Sequence, residues 1–72
     1  MITVYATVQV TRKYKFKDCF GVENIIDYIN EHGDIPTDSS DFVGSDLMNE
    51  TEVLLKDYEI DIFKDEDLIA TL

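Results

Sequence analysis

The chain is expected to fold as an α+β domain, a small antiparallel β-sheet with one or two helices packed on one face. Three stretches carry that expectation. Ile2, Val4, Ala6, Val8 and Val10 alternate with Thr3, Tyr5, Thr7, Gln9 and Thr11, as in a half-buried strand. Val22, Ile25, Ile26 and Ile29 follow the i, i+3, i+4, i+7 spacing of an amphipathic helix. "DYEIDIF", residues 57–63, alternates again, with Tyr58, Ile60 and Ile62 set to face inward and Asp57, Glu59 and Asp61 outward.

The remaining elements follow in chain order. The even-numbered apolar set resumes at Tyr14 and Phe16 after a break at Arg12. One straight strand over residues 2–17 would run ~50 Å, whereas a chain of this length forms a globule only about 25–30 Å across. A hairpin or sharp bulge is therefore expected near Thr11-Arg12-Lys13. Asp18 suits the N-cap of the helix, and Gly33 after His32 suits its C-cap. Ile35-Pro36 forces an extended exit, and "TDSSD", residues 37–41, is turn chemistry. From Ser45 onward, Leu47, Met48, Thr51, Leu54 and Leu55 fit a second helix, although Val53 and Leu55 also suit the start of a strand. The helix is the expectation adopted. "KDED", residues 64–67, reads as a polar turn, after which "LIATL" returns as a final strand or a short helix.

Seventy-two residues make one small domain, residues 1–72, close to the size at which a single core barely suffices. A hydrophobic fraction of 44%, with four Tyr and four Phe, argues against disorder despite a net charge of −10. Cys19 is the one cysteine, which excludes an internal disulfide and suits a reducing compartment. The opening residues alternate and carry their charges after the apolar part, the reverse of a secretory signal. No stretch approaches the ~18 apolar residues of a membrane span. A cytoplasmic protein with no membrane partner is expected.

Charge is the most informative feature. Residues 1–17 hold Arg12, Lys13, Lys15 and Lys17 and no acid, while all sixteen acids lie in residues 18–72 with only Lys56 and Lys64. From Asp18 to Leu55 ten acidic residues occur without one lysine or arginine. A helix solubilised in the ordinary way interleaves both signs. Here Glu23, Asp27 and Glu31 stack at intervals of four, and Asp57, Glu59 and Asp61 at intervals of two. The rises are ~6 Å on the helix and ~6.6–6.8 Å on the strand, comparable in scale with the phosphate spacing of duplex DNA. Each neighbouring repulsion costs under ~1 kcal/mol in water and less in salt. A solvated face that merely promotes solubility accounts for such rows as well as a surface for a cationic partner does. The basic-free window favours the partner.

Other chemistries are poorly served. An EF-hand counted from Asp57 would need Gly at its sixth position and Glu at its twelfth, where Ile62 and Leu68 stand. Zinc would find only His32 and Cys19 as soft ligands. No metal and no cofactor is expected. His32 near Asp34 lacks a nucleophile and an oxyanion site, so a helix-end role is the simpler reading, and Cys19 reads as a small core residue. The chain is not expected to be an enzyme. Arg12, Lys13, Lys15 and Lys17, with Tyr14 and Phe16 between them, look like a nucleic-acid strip, but a remainder of −14 repels phosphate. Direct nucleic-acid binding is not expected; the ribbon offsets acidic surface.

In size, acidity, lone cysteine and the rows Glu23/Asp27/Glu31 and Asp57/Glu59/Asp61, the chain resembles the small acidic phage proteins that block host defences. Anti-CRISPR proteins that act as DNA mimics are among them. Separately, "HGDIPTDSSDFV", residues 32–43, is similar to the Gly-Glu-Ile…Asp-Ser-Glu-Asp-Phe segment of DpnD/PcfM-type phage and plasmid proteins. In both, a strand and a helix precede it, and the match spans about half the chain. Pro36 departs from the apolar residue expected there. That similarity implies a mobile-element origin and no activity.

The resemblance implies a non-enzymatic inhibitor docking an acidic face on the cationic groove of a nucleic-acid-binding protein, most concretely a CRISPR effector nuclease. Glu23, Asp27, Glu31, Asp57, Glu59 and Asp61 would pair with its Arg and Lys, with Asp34, Asp38, Asp41, Asp46 and Glu50 extending the surface. Two other classes stay open: an immunity protein against a basic nuclease toxin, and an oligomeric structural or regulatory module, such as a homodimer joined through an edge strand.

Overall fold

A computed structural model of the chain describes residues 1–48 and 58–72. It contains five strands, β1 (Ile2–Val8), β2 (Val10–Phe16), β3 (Phe42–Leu47), β4 (Ile60–Lys64) and β5 (Asp67–Thr71), and one helix, α1 (Val22–His32). The strands form a single antiparallel sheet in the order β3-β2-β1-β4-β5. The α+β expectation holds, and among the described residues one α-helix covers one face.

The first reversal lies earlier than expected. It centres on Gln9, whose φ of 64° is left-handed, and not on Thr11-Arg12-Lys13. The register pairs Ile2 with Phe16, Val4 with Tyr14, Ala6 with Arg12 and Thr7 with Thr11. A reversal at Arg12 would set Phe16 against Val8 and leave the first half of β1 without a hairpin partner. Centring on Gln9 pairs both strands over their full seven residues and keeps every even-numbered side chain on one face. The Thr7 and Thr11 hydroxyls meet at 2.6 Å below the turn, and both residues are buried.

The even face is the core. Ile2, Val4, Phe16 and Ile62 from the sheet pack with Ile25 and Ile29 of α1 and with Ile35, while Val22, Ile26, Phe20, Phe42, Ile60 and Ala70 close its margin. Phe16 is its keystone: fully buried, with the Phe20 and Phe42 rings 5.5 and 5.4 Å away.

Asp18 does not cap α1. Residues Asp18–Phe20 make a 3₁₀ turn, Gly21 at φ 88° takes the N-cap position, and the Asp18 carboxylate binds the Met1 ammonium at 2.8 Å. At the other end, Gly33 adopts the expected left-handed C-cap with φ 68° and donates its N–H to the Ile29 carbonyl at 2.8 Å. Residues 37–41 form the expected turn, tied by the Ser39 hydroxyl accepting from the Asp41 N–H.

The second helix expected from Ser45 is not formed where it can be seen. Ser45 and Leu47 belong to β3, Met48 follows with its N–H bonded to the Thr11 carbonyl, and the rest of that stretch lies outside the described residues. The outer edge of β2 supplies unpaired backbone groups, Phe42 and Val43 are strand-prone and Gly44 is helix-poor, so pairing overrides the local pattern. Near the C-terminus, Tyr58 is 80% exposed at φ 66° instead of facing inward, and the strand starts at Ile60. The polar turn at Asp65-Glu66 and the final strand hold. Each edge strand carries a bulge: Val43 is extra in β3 and Ile69 in β5. Such irregularity discourages the addition of further strands.

The Met1 ammonium also binds Asp65 at 2.8 Å, so it ties the turn after β4 to the turn before α1. Hydrogen bonding to Asp18 and then Asp65 raises the ammonium pKa above its ordinary 8.0, and the ammonium lowers Asp65 below its ordinary 3.8. The ammonium's contribution is complete below pH 8.0 and is lost as pH rises through its raised value. That of Asp65 is complete above pH 3.8 and is lost as pH falls through its lowered value. All three groups are solvent-exposed, so the effect is small. Thermal melts should show a mild decline from neutral to alkaline pH, and acetylating the Met1 amine should remove it.

Candidate functional site

The helix row is displayed as the spacing predicts. Ile25 and Ile29 turn into the core, which places Glu23, Asp27 and Glu31 on the opposite side, and all three are exposed. None pairs with a described residue. Among the described residues the ion pairs are those of the Met1 ammonium with Asp18 and Asp65. Past the C-cap, Asp34 and Asp38 are exposed as well, and the Asp34 Oδ1 accepts the Ile35 N–H at 2.8 Å.

The strand row is elsewhere. Asp57 and Glu50 lie outside the described residues. Glu59 continues the β4 ladder, its carbonyl accepting the Thr7 N–H at 3.0 Å. Asp61 alternates with Ile60 and Ile62, whose side chains reach the core, so Glu59 and Asp61 point to the sheet face away from α1. The two rows that look equivalent in sequence are on opposite sides of the sheet. No single flat surface can touch both.

Asp61 is also poorly suited to docking. It stands across from Tyr5 on β1 and Thr71 on β5, half-buried, and its Oδ1 is shielded from solvent without a hydrogen-bond partner. Across the same row, Lys13 faces Tyr5 on one side and Asp46 on the other. This face thus mixes Lys13 and Lys15 with Asp46 and Asp61, while α1 itself carries Glu23, Asp27 and Glu31 and no lysine or arginine. The ribbon cations offset acids through proximity in register, since no carboxylate among the described residues lies within ion-pair distance of them.

Cys19 is not a core residue. It is exposed, and its thiol donates to the Asp41 Oδ1 at 3.4 Å. That hydrogen bond leads the causes that hold the thiol above its ordinary pKa of 9.0, which leaves it protonated and weakly nucleophilic at neutral pH. The 3₁₀ turn explains the exposure, because it rotates Cys19 outward and sends Phe20 in toward Phe16. His32 ends α1 with its ring 4.3 Å from that of Tyr28. Among the described residues, no three His, Cys, Asp or Glu side chains converge in a metal-binding arrangement. Nor is any described helix long and apolar enough to cross a membrane.

Two depressions flank α1. One, of about 280 Å³, opens beyond its C-terminus between Gly33-Asp34-Ile35, Tyr14 and Tyr58. The other, of about 590 Å³, runs from Val22, Glu23 and Ile26 at its N-terminus to Lys64 and Ile69 at the β5 edge. Sequence spacing gave no hint of the first, because it joins residues from four separate segments. No family model, curated protein or solved structure matches the chain.

Proposed function

We propose that this protein is a non-enzymatic inhibitor that docks the exposed face of α1 onto the cationic surface of a nucleic-acid-binding protein. A CRISPR effector nuclease in the cytoplasm of a phage-infected host is the most concrete target. One observation carries the reading: Glu23, Asp27 and Glu31 are all exposed on one helix face and make no ion pair with any described residue, so nothing in the described fold uses them. Exposed like charges at this spacing work against the helix by about 0.2–0.5 kcal/mol per pair, and a surface of Arg and Lys that normally holds phosphates would turn that cost into charge-assisted pairing. Steering by the whole net charge of −10 favours fast association with such a surface. Asp34 and Asp38 extend the row toward the C-terminal end of the helix. Glu59 and Asp61, on the far side of the sheet, are left out of this docking face.

The test is capture from the native host followed by competition. The captured protein should bind nucleic acid by itself, and added duplex DNA should displace it from the inhibitor. The inhibitor alone should not shift duplex DNA at physiological salt. A captured partner that ignores DNA, or one that holds DNA and inhibitor together, overturns the reading. Capture of a toxin encoded beside this gene would favour the immunity-protein alternative instead.

A further inference from the structure

The cavity beyond the C-terminus of α1 exists because helix and hairpin differ in length. Eleven helical residues span about 16 Å, and seven strand residues about 23 Å. The helix stops at Gly33 and does not reach the hairpin end of the core face. Ala6, Val8 and Ile60 line this end, with Ile35 beside them and Tyr14 and Tyr58 also on the wall. The volume of about 280 Å³ falls just below the range of roughly 300–1,000 Å³ typical of small-molecule sites. It suits one long side chain better than a substrate.

Its electrostatics are one-sided. Among the described residues, Asp34 is the charged residue in the lining. Its Oδ1 is occupied by the Ile35 N–H, which orients the carboxylate and leaves Oδ2 for another donor. The helix terminus beside it contributes the negative end of the α1 dipole, about half an elementary charge. Among the described residues no Lys or Arg lines the cavity, and Arg12, opposite Ala6 in the hairpin, lies outside the lining. An apolar floor, two tyrosines and a carboxylate oxygen beside the negative end of the helix together favour a cation with an apolar stem. Arginine meets this better than lysine, because its guanidinium is planar, weakly hydrated and stacks on aromatic rings.

We propose that this cavity is an anchor pocket for a single arginine side chain of a partner protein, with Asp34 holding the guanidinium and Tyr14 and Tyr58 enclosing the stem. It adds a second site to the docking reading and does not require the helix row, so either can fail without the other.

The test uses the full chain and N-acetyl-arginine amide as probe, followed by amide chemical shifts. Saturable shifts are expected at Gly33, Asp34, Ile35 and Ala6. The isosteric, uncharged N-acetyl-citrulline amide should bind about tenfold more weakly or not at all. Asp34→Asn, which can still accept the Ile35 N–H, should abolish saturation. Tyr58→Ala, at a residue too exposed to support the fold, should weaken it. Replacing Glu23, Asp27 and Glu31 together with Gln should leave it unchanged. Shifts that never saturate and spread over all the carboxylates, equal binding of the citrulline probe, or tighter binding of tetramethylammonium than of the arginine probe would each overturn the assignment.

Discussion

Replacing Glu23, Asp27 and Glu31 together with Gln should reduce affinity for the captured partner at least about tenfold, or 1.4 kcal/mol, while the melting temperature holds or rises slightly. The two effects separate because the positions are exposed and contribute nothing to the core, which Ile25 and Ile29 enter from the other side of α1. Gln is as good a helix former as Glu and better than Asp, and the substitution removes the like-charge repulsion along the row. The wild-type complex should also weaken steeply with added salt, since exposed pairs are screened over about 8 Å at physiological ionic strength. The opposite face supplies the control. Glu59→Gln with Asp61→Asn should change affinity by less than about twofold, an effect under 0.5 kcal/mol, because the sheet separates those residues from the helix row. Isothermal titration of the two variants against the partner decides it. If the helix variant binds as the wild type does, α1 is not the docking face, and its carboxylates serve solubility.

Phe16→Ala should largely unfold the protein. Phe16 is fully buried, stands opposite Ile2 and carries the ring contacts to both Phe20 and Phe42. It therefore joins β1, the turn before α1 and the edge strand β3 at one point. Truncating a buried Phe typically costs about 3–5 kcal/mol. At roughly 0.05–0.15 kcal/mol per residue, a domain of 72 residues holds only about 4–11 kcal/mol in all. The expected drop in melting temperature exceeds about 10 °C. Val43→Ala is the matched control: Val43 is 50% exposed at the β3 bulge and should move stability by less than about 0.5 kcal/mol. Thermal melts followed by far-ultraviolet circular dichroism compare the two directly. A Phe16→Ala protein that melts with the wild type would place the core elsewhere.

Much of the fold was legible because it rests on local periodicity. Alternation over residues 2–6 and the helical spacing of Val22, Ile25, Ile26 and Ile29 fix which side of each element is buried, whereas past Ala6 the alternation fails, with Val8 and Val10 exposed and Thr7 and Thr11 buried beside the turn. Gly33 ends the helix for a reason contained in its own backbone, its ease in the left-handed region. Where two physical demands competed, the sequence misled. No Gly or Asn marks the first turn, so its position at Gln9 comes from maximising strand pairing, which is a property of two segments together. Asp18 has the chemistry of a cap and is diverted to the Met1 ammonium. Ser45 and Leu47 fit a helix pattern and are taken by the open edge of β2.

The charge rows divide in the same way. That Glu23, Asp27 and Glu31 share a helix face follows from a period of 3.6 and nothing else. That Glu59 and Asp61 face away from that helix depends on which side of the sheet α1 covers, and on that the alternation of β4 is silent. The hairpin-end cavity is likewise a tertiary product. It requires the helix to stop short of the strands and requires Asp34 to arrive beside Tyr14 and Tyr58, residues brought together only when the chain closes on its core.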